Sequence, residues 1–304
     1  LSIDTLRLNL YLICAIIHVY TIIRKSLDMS IKDITKWNKM TLKNSYMFRL
    51  VMEKNNLCKP LIERVLGIKI KSLSYVEPEK SFEAKLRTKG IRLDLFVIDE
   101  DGVAYDIEMQ MDNSYKKFLG KRSRYYVSLM DNGALKKDEP YSQLRKSYVI
   151  FICTFDPFGK GLAKYTFNAI CNEDHSLVLD DGVTRVFINT EGDRHKISKE
   201  LANLIDYIST GEVTDDYTRQ LDEEVQELRN DTGKGVSYMT YMQTMMEERA
   251  MGFDEGTIYG REQTTKDFAI KMLKANKPYD EISEFTALTR EQISELAASI
   301  HRVH

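Results

Sequence analysis

Proline is scarce in this chain, with 5 in 304 residues, and so are cysteine, with 4, and tryptophan, with 1. Few prolines and 15 glycines exclude a collagen-like chain or one dominated by linkers. Cys14, Cys58, Cys153 and Cys171 never form a CxxC pair. That spacing argues against a structural zinc site or a disulfide scaffold and fits a reducing cytoplasm. Neither sign of charge dominates: 44 Lys and Arg against 46 Asp and Glu leave −2, so the total does not mark a nucleic-acid binder. What is present, 43% hydrophobic and 30% charged residues, is the composition of a globular protein rather than a disordered one.

A long apolar run is also lacking. LNLYLICAIIHVYTII, residues 8–23, is shorter than the roughly 20 residues of a membrane span and is broken by Asn9 and His18. No small-x-small cleavage site follows it before Met29, the first methionine. Residues 1–39 are therefore expected to be an upstream extension or a short apolar segment. On that reading translation starts at Met29 or Met40, residues 1–28 are dispensable and membrane association is not expected. A membrane anchor is the competing reading of the same run.

The charge is unevenly distributed. Residues 40–126 hold 17 Lys and Arg against 12 Asp and Glu, a net +5, whereas residues 191–304 hold 14 against 23, a net −9. A basic front can meet phosphates, although charge varies along any chain. Apolar spacing predicts helix over 44–66, divided at Pro60 and closed by Gly67. Alternation predicts strands over 68–77, 91–99 and 103–111, with the last two joined by a turn at Asp99-Glu100-Asp101-Gly102. A helix is expected over 114–133 and a buried strand over 147–155, followed by short strands near 165–171 and 184–189. From about 197 the pattern is helical to the end. The order is that of an α/β core with a mostly antiparallel start and a helical tail.

The chemistry concentrates in RLDLFVIDEDGVAYDIEMQ, residues 92–110. On a strand i and i+2 share a face, so Glu108 and Gln110 point one way while Ile107 and Met109 point the other. Across the hairpin Asp94 is a near neighbour of Glu108. Two converging carboxylates in apolar strands repel one another and are costly to bury. A hard divalent cation such as Mg²⁺ resolves both problems and keeps waters for a phosphate substrate. The plainer reading is two exposed positions on a half-buried hairpin.

These segments resemble the PD-(D/E)XK nuclease-like transposase family, close to the recombination-promoting nuclease (Rpn) proteins. The resemblance is carried in order by NSYMFRLVM (44–52), LIERVLGIKI (61–70), RLDLFV (92–97), YDIEMQ (105–110) and KRSRYYVSLMD (121–131), and it extends over roughly 40–300. It implies a restriction-endonuclease-like core, αβββαβ, with a mixed sheet flanked by helices over 40–196 and an acidic helical region over 197–304. It implies a Mg²⁺-dependent DNA endonuclease serving recombination or a mobile element, in which Asp94 and Glu108 match the metal-binding acids. Gln110 stands where the superfamily has a lysine, as in this branch. A glutamine can orient a water but brings no charge, so the cation is expected from Lys89, Arg92, Lys121 or Arg122. Glu63 is a candidate further acid, with an exposed helix carboxylate as the plainer reading. Asn44, at a position often acidic in the family, reads equally well as a helix cap.

Lys121, Arg122 and Arg124 with Tyr125 and Tyr126 form a basic, aromatic stretch about ten residues past Gln110. Arg122 and Tyr126 share a helix face and either hold phosphates beside the site or form a solvated face with one core tyrosine. In the tail, Gly252, Gly256 and Gly260 recur every four residues beside a Met-rich segment, so homo-oligomerisation through the C-terminal helices is expected. The closing 278–296 segment has helix-turn-helix form but too many acids for a DNA reader. No DDE-type triad is evident. The alternative function is a nuclease fold that has lost cleavage and binds DNA or protein.

Overall fold

The computed structural model describes residues 35–78, 81–82, 91–135 and 138–301; residues 1–28, Lys89 and the apolar run at 8–23 lie outside them. Helix α1 (Ser45–Met52) begins at Asn44, whose side chain accepts from the amides of Tyr46 at 2.9 Å and Met47 at 3.3 Å. Those first-turn amides have no partner within the helix. The chain breaks at Glu53 and Lys54, and α2 (Asn55–Leu66) carries Pro60 inside it. The expected division at Pro60 is thus corrected. The carbonyl that the proline leaves without a donor belongs to Asn56, on the exposed first turn and open to solvent. Gly67 closes α2 at φ 72°, a left-handed conformation that a side chain would oppose.

Six strands form one mixed sheet: β1 (Leu73–Pro78), β4 (Leu95–Asp99), β5 (Ala104–Gln110), β6 (Ser147–Cys153), β7 (Lys164–Phe167) and β8 (Val183–Asn189). Their spatial order is β1-β4-β5-β6-β8-β7. The first three pair antiparallel, β5, β6 and β8 run parallel, and β7 returns antiparallel along the edge. The short β2 (Ser81–Phe82) and β3 (Ile91–Arg92) pair separately. The expected 91–99 strand is therefore two strands with a break at Leu93 and Asp94, and the first strand starts at Leu73 rather than at 68.

Helix α3 (Leu119–Ala134) crosses β6 and packs Leu119, Tyr126, Val127 and Met130 against Val149, Phe151 and Cys153. Alternate residues Ile150 and Ile152 are buried on the opposite face of the sheet. The helix expected from 114 opens instead as a 3₁₀ segment, Asn113–Phe118, because that stretch buries nothing to support an α-turn.

Helices α4 (Lys199–Thr210) and α5 (Asp216–Asn230) pack on α1 and α2. Tyr217 donates to the Leu57 carbonyl at 2.7 Å, Arg64 pairs with Asp215 at 2.7 Å, and the Trp37 indole donates to the Arg229 carbonyl at 3.1 Å. The chain divides into two compact units at Val236/Ser237, and α4 and α5 bury their apolar faces within the first. The second unit holds most of α6 (Thr232–Lys274) and all of α7 (Tyr279–Thr286) and α8 (Arg290–His301), around Ala269, Met272, Ile282 and Ile293. Gly252, Gly256 and Gly260 lie inside continuous α6, where an added Cβ would meet nothing within 4 Å. Among the described residues no helix is long and apolar enough to cross a membrane.

Among the described glycines, Gly192 is the most closely approached by other backbone. A Cβ there would lie 2.4 Å from the Leu162 carbonyl carbon and oxygen, where Leu162 bridges to Asp193. Gly192→Ala forces two backbone segments apart and is expected to cost about 1–3 kcal/mol. It should lower the urea midpoint at unchanged slope; a wild-type midpoint would contradict this packing.

Candidate active site

Asp94 faces Glu108 where the β4–β5 ladder ends. The last registered pair is Leu95 with Ile107, and side chains take over the hydrogen bonding beyond it. The Asp94 amide donates to Glu108 Oε1 at 2.9 Å, and the Met109 amide donates to Asp94 Oδ2 at 3.1 Å. Each carboxylate is thus aimed by the other strand's backbone, and the two share one face of the sheet.

The expected plain alternative, two exposed positions, does not describe Glu108, which is 4% exposed. Every residue of β5 is buried. Beneath Glu108 on the same face lies Asp106, 0% exposed, whose two carboxyl oxygens receive no hydrogen bond from a donor among the described residues. Burial pushes Asp106 well above the usual carboxylate range, and the charges of Glu108 and Asp94 add to it. Burial likewise raises Glu108, with Asp94 as the next cause. A proton held on Asp106 and donated to Glu108 satisfies both groups.

Arg122 reaches this cluster from α3. Its guanidinium donates to Gln110 Oε1 at 2.5 Å, to Glu108 Oε2 at 3.3 Å and to the Tyr126 hydroxyl at 2.8 Å. It sits 5.3 Å from the Phe151 ring centre. The Gln110 Nε2 donates to the Asp112 carbonyl at 2.7 Å, so both ends of the Gln110 amide are engaged. Gln110 thus braces Arg122 through its amide oxygen. Of the expected cations, Arg122 is the one brought to Glu108. Lys121 is exposed on α3, Arg92 lies in β3 with its side chain outside the described residues, and Lys89 lies outside them altogether.

Tyr126 is buried and stacks on Phe151 at 6.0 Å, a core tyrosine that also fixes the arginine. Glu63 is used elsewhere: it accepts from the Ile70 amide at 2.9 Å and pairs with Lys59 and Lys69, each at 3.7 Å. Asp106 is a site residue that the motif alone does not single out, and its i, i+2 spacing to Glu108 is the signal that points to it.

Among the described residues no group of three or more His, Cys, Asp or Glu side chains forms a closed metal cage. Two hard carboxylates are a donor set that fits Mg²⁺ better than a structural zinc ion. Asp94 and Glu108 each bring two oxygens and about four lone-pair sites.

A mixed sheet flanked by helices, with facing acids at the end of a central hairpin, defines a restriction-endonuclease-like α/β protein. The profile of the PD-(D/E)XK nuclease family transposase matches residues 42–255, and the chain belongs to that family. No curated protein and no solved structure matches it.

Proposed function

We propose that this protein is a divalent-metal-dependent DNA endonuclease, acting in the cytoplasm in recombination or for a mobile element. The reciprocal backbone-to-carboxylate bonds between Asp94 and Glu108 carry the reading, because they hold two acids together on one face at a cost in repulsion that a fold alone does not require. Asp94 and Glu108 are the residues that would hold the ion. When bound, it supplies Lewis-acid polarisation of the phosphate and activation of water.

The remaining work falls to the chain. Arg122 offers charge-assisted donors to non-bridging phosphate oxygens. Gln110 and Tyr126 keep its guanidinium in place, and Asp106 keeps a proton at Glu108. In the reaction that the family implies, the oxygen of water bonds to phosphorus, the P–O3′ bond breaks and the leaving oxygen takes up a proton. The tail is proposed to join copies of the chain through exposed residues of α6 such as Met246, Met251 and Phe253.

The second reading is a DNA- or protein-binding module without cleavage. The Arg122–Glu108 pair favours it, since the arginine already neutralises Glu108. The test is nicking of a supercoiled plasmid by the full chain. The nuclease reading expects relaxed circles with Mg²⁺ and none with a chelator. Binding without nicking in any divalent cation would favour the module.

A further inference from the structure

Across the sheet from the acids lies a second concave feature. Glu108 of β5 registers with Phe151 of β6, Phe151 with Phe187 of β8, and Phe187 with Tyr165 of β7. All four therefore lie in one row on one face of the sheet. At the far end of that row a groove of about 350 Å³ opens, floored by Phe187 and lined by Phe158, Phe167, Gly120, Arg124 and Arg185. Its volume is at the low end for small-ligand sites.

Two of its aromatic side chains are not used up by the core: Phe158 is 37% and Phe167 43% exposed. Both meet Phe187 edge-on, at 5.0 and 5.7 Å. Phe158 is held out rather than left loose. Asp156 accepts from the amides of Phe158 at 3.0 Å, Gly159 at 2.9 Å and Gly161 at 2.8 Å, and from the Tyr165 hydroxyl at 2.8 Å. Those donors hold the Asp156 carboxyl below its usual range, at about 2, against the cost of its burial. A loop so braced presents a preformed aromatic surface.

The charge on the groove is positive. Arg185 stands directly opposite Phe167 in the β7–β8 ladder, and Arg124 is exposed on α3. Neither forms an ion pair among the described residues. Arg122 and Arg124, two positions apart, project from opposite flanks of α3, one toward Glu108 and one toward the groove. The way between them passes the first turn of α3 at Gly120, where an added Cβ would meet nothing within 4 Å, and the exposed Lys121. From β5 to β8 is two strand spacings, roughly 10 Å, or about three nucleotide steps at the spacing of one DNA strand.

We propose that this groove binds an unpaired nucleobase of the strand whose phosphate lies at Asp94 and Glu108, so that the substrate is single-stranded or locally unpaired DNA. Exposed aromatic rings flanked by unpaired guanidinium groups are the chemistry that takes a base face and its phosphate together. Paired duplex DNA presents base edges and phosphates, while its base faces are stacked away. The inference names the substrate for the nuclease reading and rests on it.

The experiment is fluorescence anisotropy of the full chain with a labelled oligothymidine and with a labelled duplex of equal length, in chelator. Phe158→Ala is expected to weaken oligothymidine binding about 5- to 100-fold and to change duplex binding less than about twofold. Arg124→Ala should lower the salt dependence by about one phosphate contact. Phe158→Trp should restore affinity and give an indole fluorescence quenched by the oligonucleotide. Melting curves matching wild type exclude misfolding, and Arg124→Ala, an exposed substitution, keeps the test open if Phe158→Ala does not fold. Equal binding of oligothymidine by wild type and both variants, equal losses on single strand and duplex, or no binding by wild type would each overturn the proposal. Plasmid nicking is read separately, so a working nuclease with an inert groove, and a working groove without cleavage, are distinguished.

Discussion

Asp94→Asn is expected to reduce Mg²⁺-dependent nicking by about 10²–10³-fold or more, while the metal-free variant melts no lower than wild type. The substitution keeps the shape and leaves an oxygen to accept from the Met109 amide. It removes one charge from a cluster in which Glu108 and Asp106 are already pushed upward by burial and by Asp94. Functional sites hold such repulsion at the expense of stability. The pH dependence follows the same sign. Glu108 rises from its ordinary 4.5 to about 8 in the folded protein, so its contribution is fully present below pH 4.5 and is lost as pH climbs through 8. Metal-free wild type should therefore lose stability from this group between those limits. With the Asp94 charge gone the upward shift of Glu108 shrinks, and so does the slope. Mg²⁺ should raise the wild-type melting temperature most at the alkaline end and leave Asp94→Asn unmoved. Differential scanning fluorimetry across pH, with and without Mg²⁺, checks each part. A variant that melts well below wild type yet nicks normally would contradict this account.

Arg122→Ala is expected to destabilise the protein by about 3 kcal/mol above pH 8, where Glu108 is ionised, the cost of leaving a buried partner uncompensated. The guanidinium serves Gln110, Glu108 and Tyr126 together, and its side chain is 26% exposed against 6% for Glu108. Truncation leaves the carboxylate without its counter-charge and the Gln110 oxygen without its donor. Arg122→Lys should recover only part of the loss, because a single ammonium cannot reproduce the fork that reaches three acceptors. Urea unfolding at pH 9 and pH 6 reads the effect, which should shrink at pH 6, where Glu108 holds its proton. An equal loss at both pH values would assign the effect to packing instead.

The hairpin was legible because its alternation, its four-residue turn and its two acids all agree on one register. Helix capping at Asn44 and Gly67 was legible for the same reason: local chemistry decides it. Pro60 misled because a proline's effect depends on whether the carbonyl it orphans is exposed. The break at Leu93–Asp94 was invisible because side chains, rather than a turn residue, end that ladder. The role of Gln110 depends on Arg122, twelve residues away on another element, and no spacing rule joins a strand to the flank of a helix that crosses it. Asp106 shares the face of Glu108 and Gln110 by alternation, but only the structure shows that it is fully buried there. Charge could not separate α4 and α5 from the rest of the tail, since acidic outer faces conceal apolar ones that pack on α1 and α2.

The central claim is that Asp94 and Glu108 jointly hold a divalent cation. Crystals of the full chain grown with Mn²⁺ and measured for anomalous scattering test it most directly. The account predicts one peak within about 2–2.5 Å of an oxygen from each carboxylate, absent in crystals of Asp94→Asn. No peak at that position in wild type, or an undiminished peak in the variant, would contradict it.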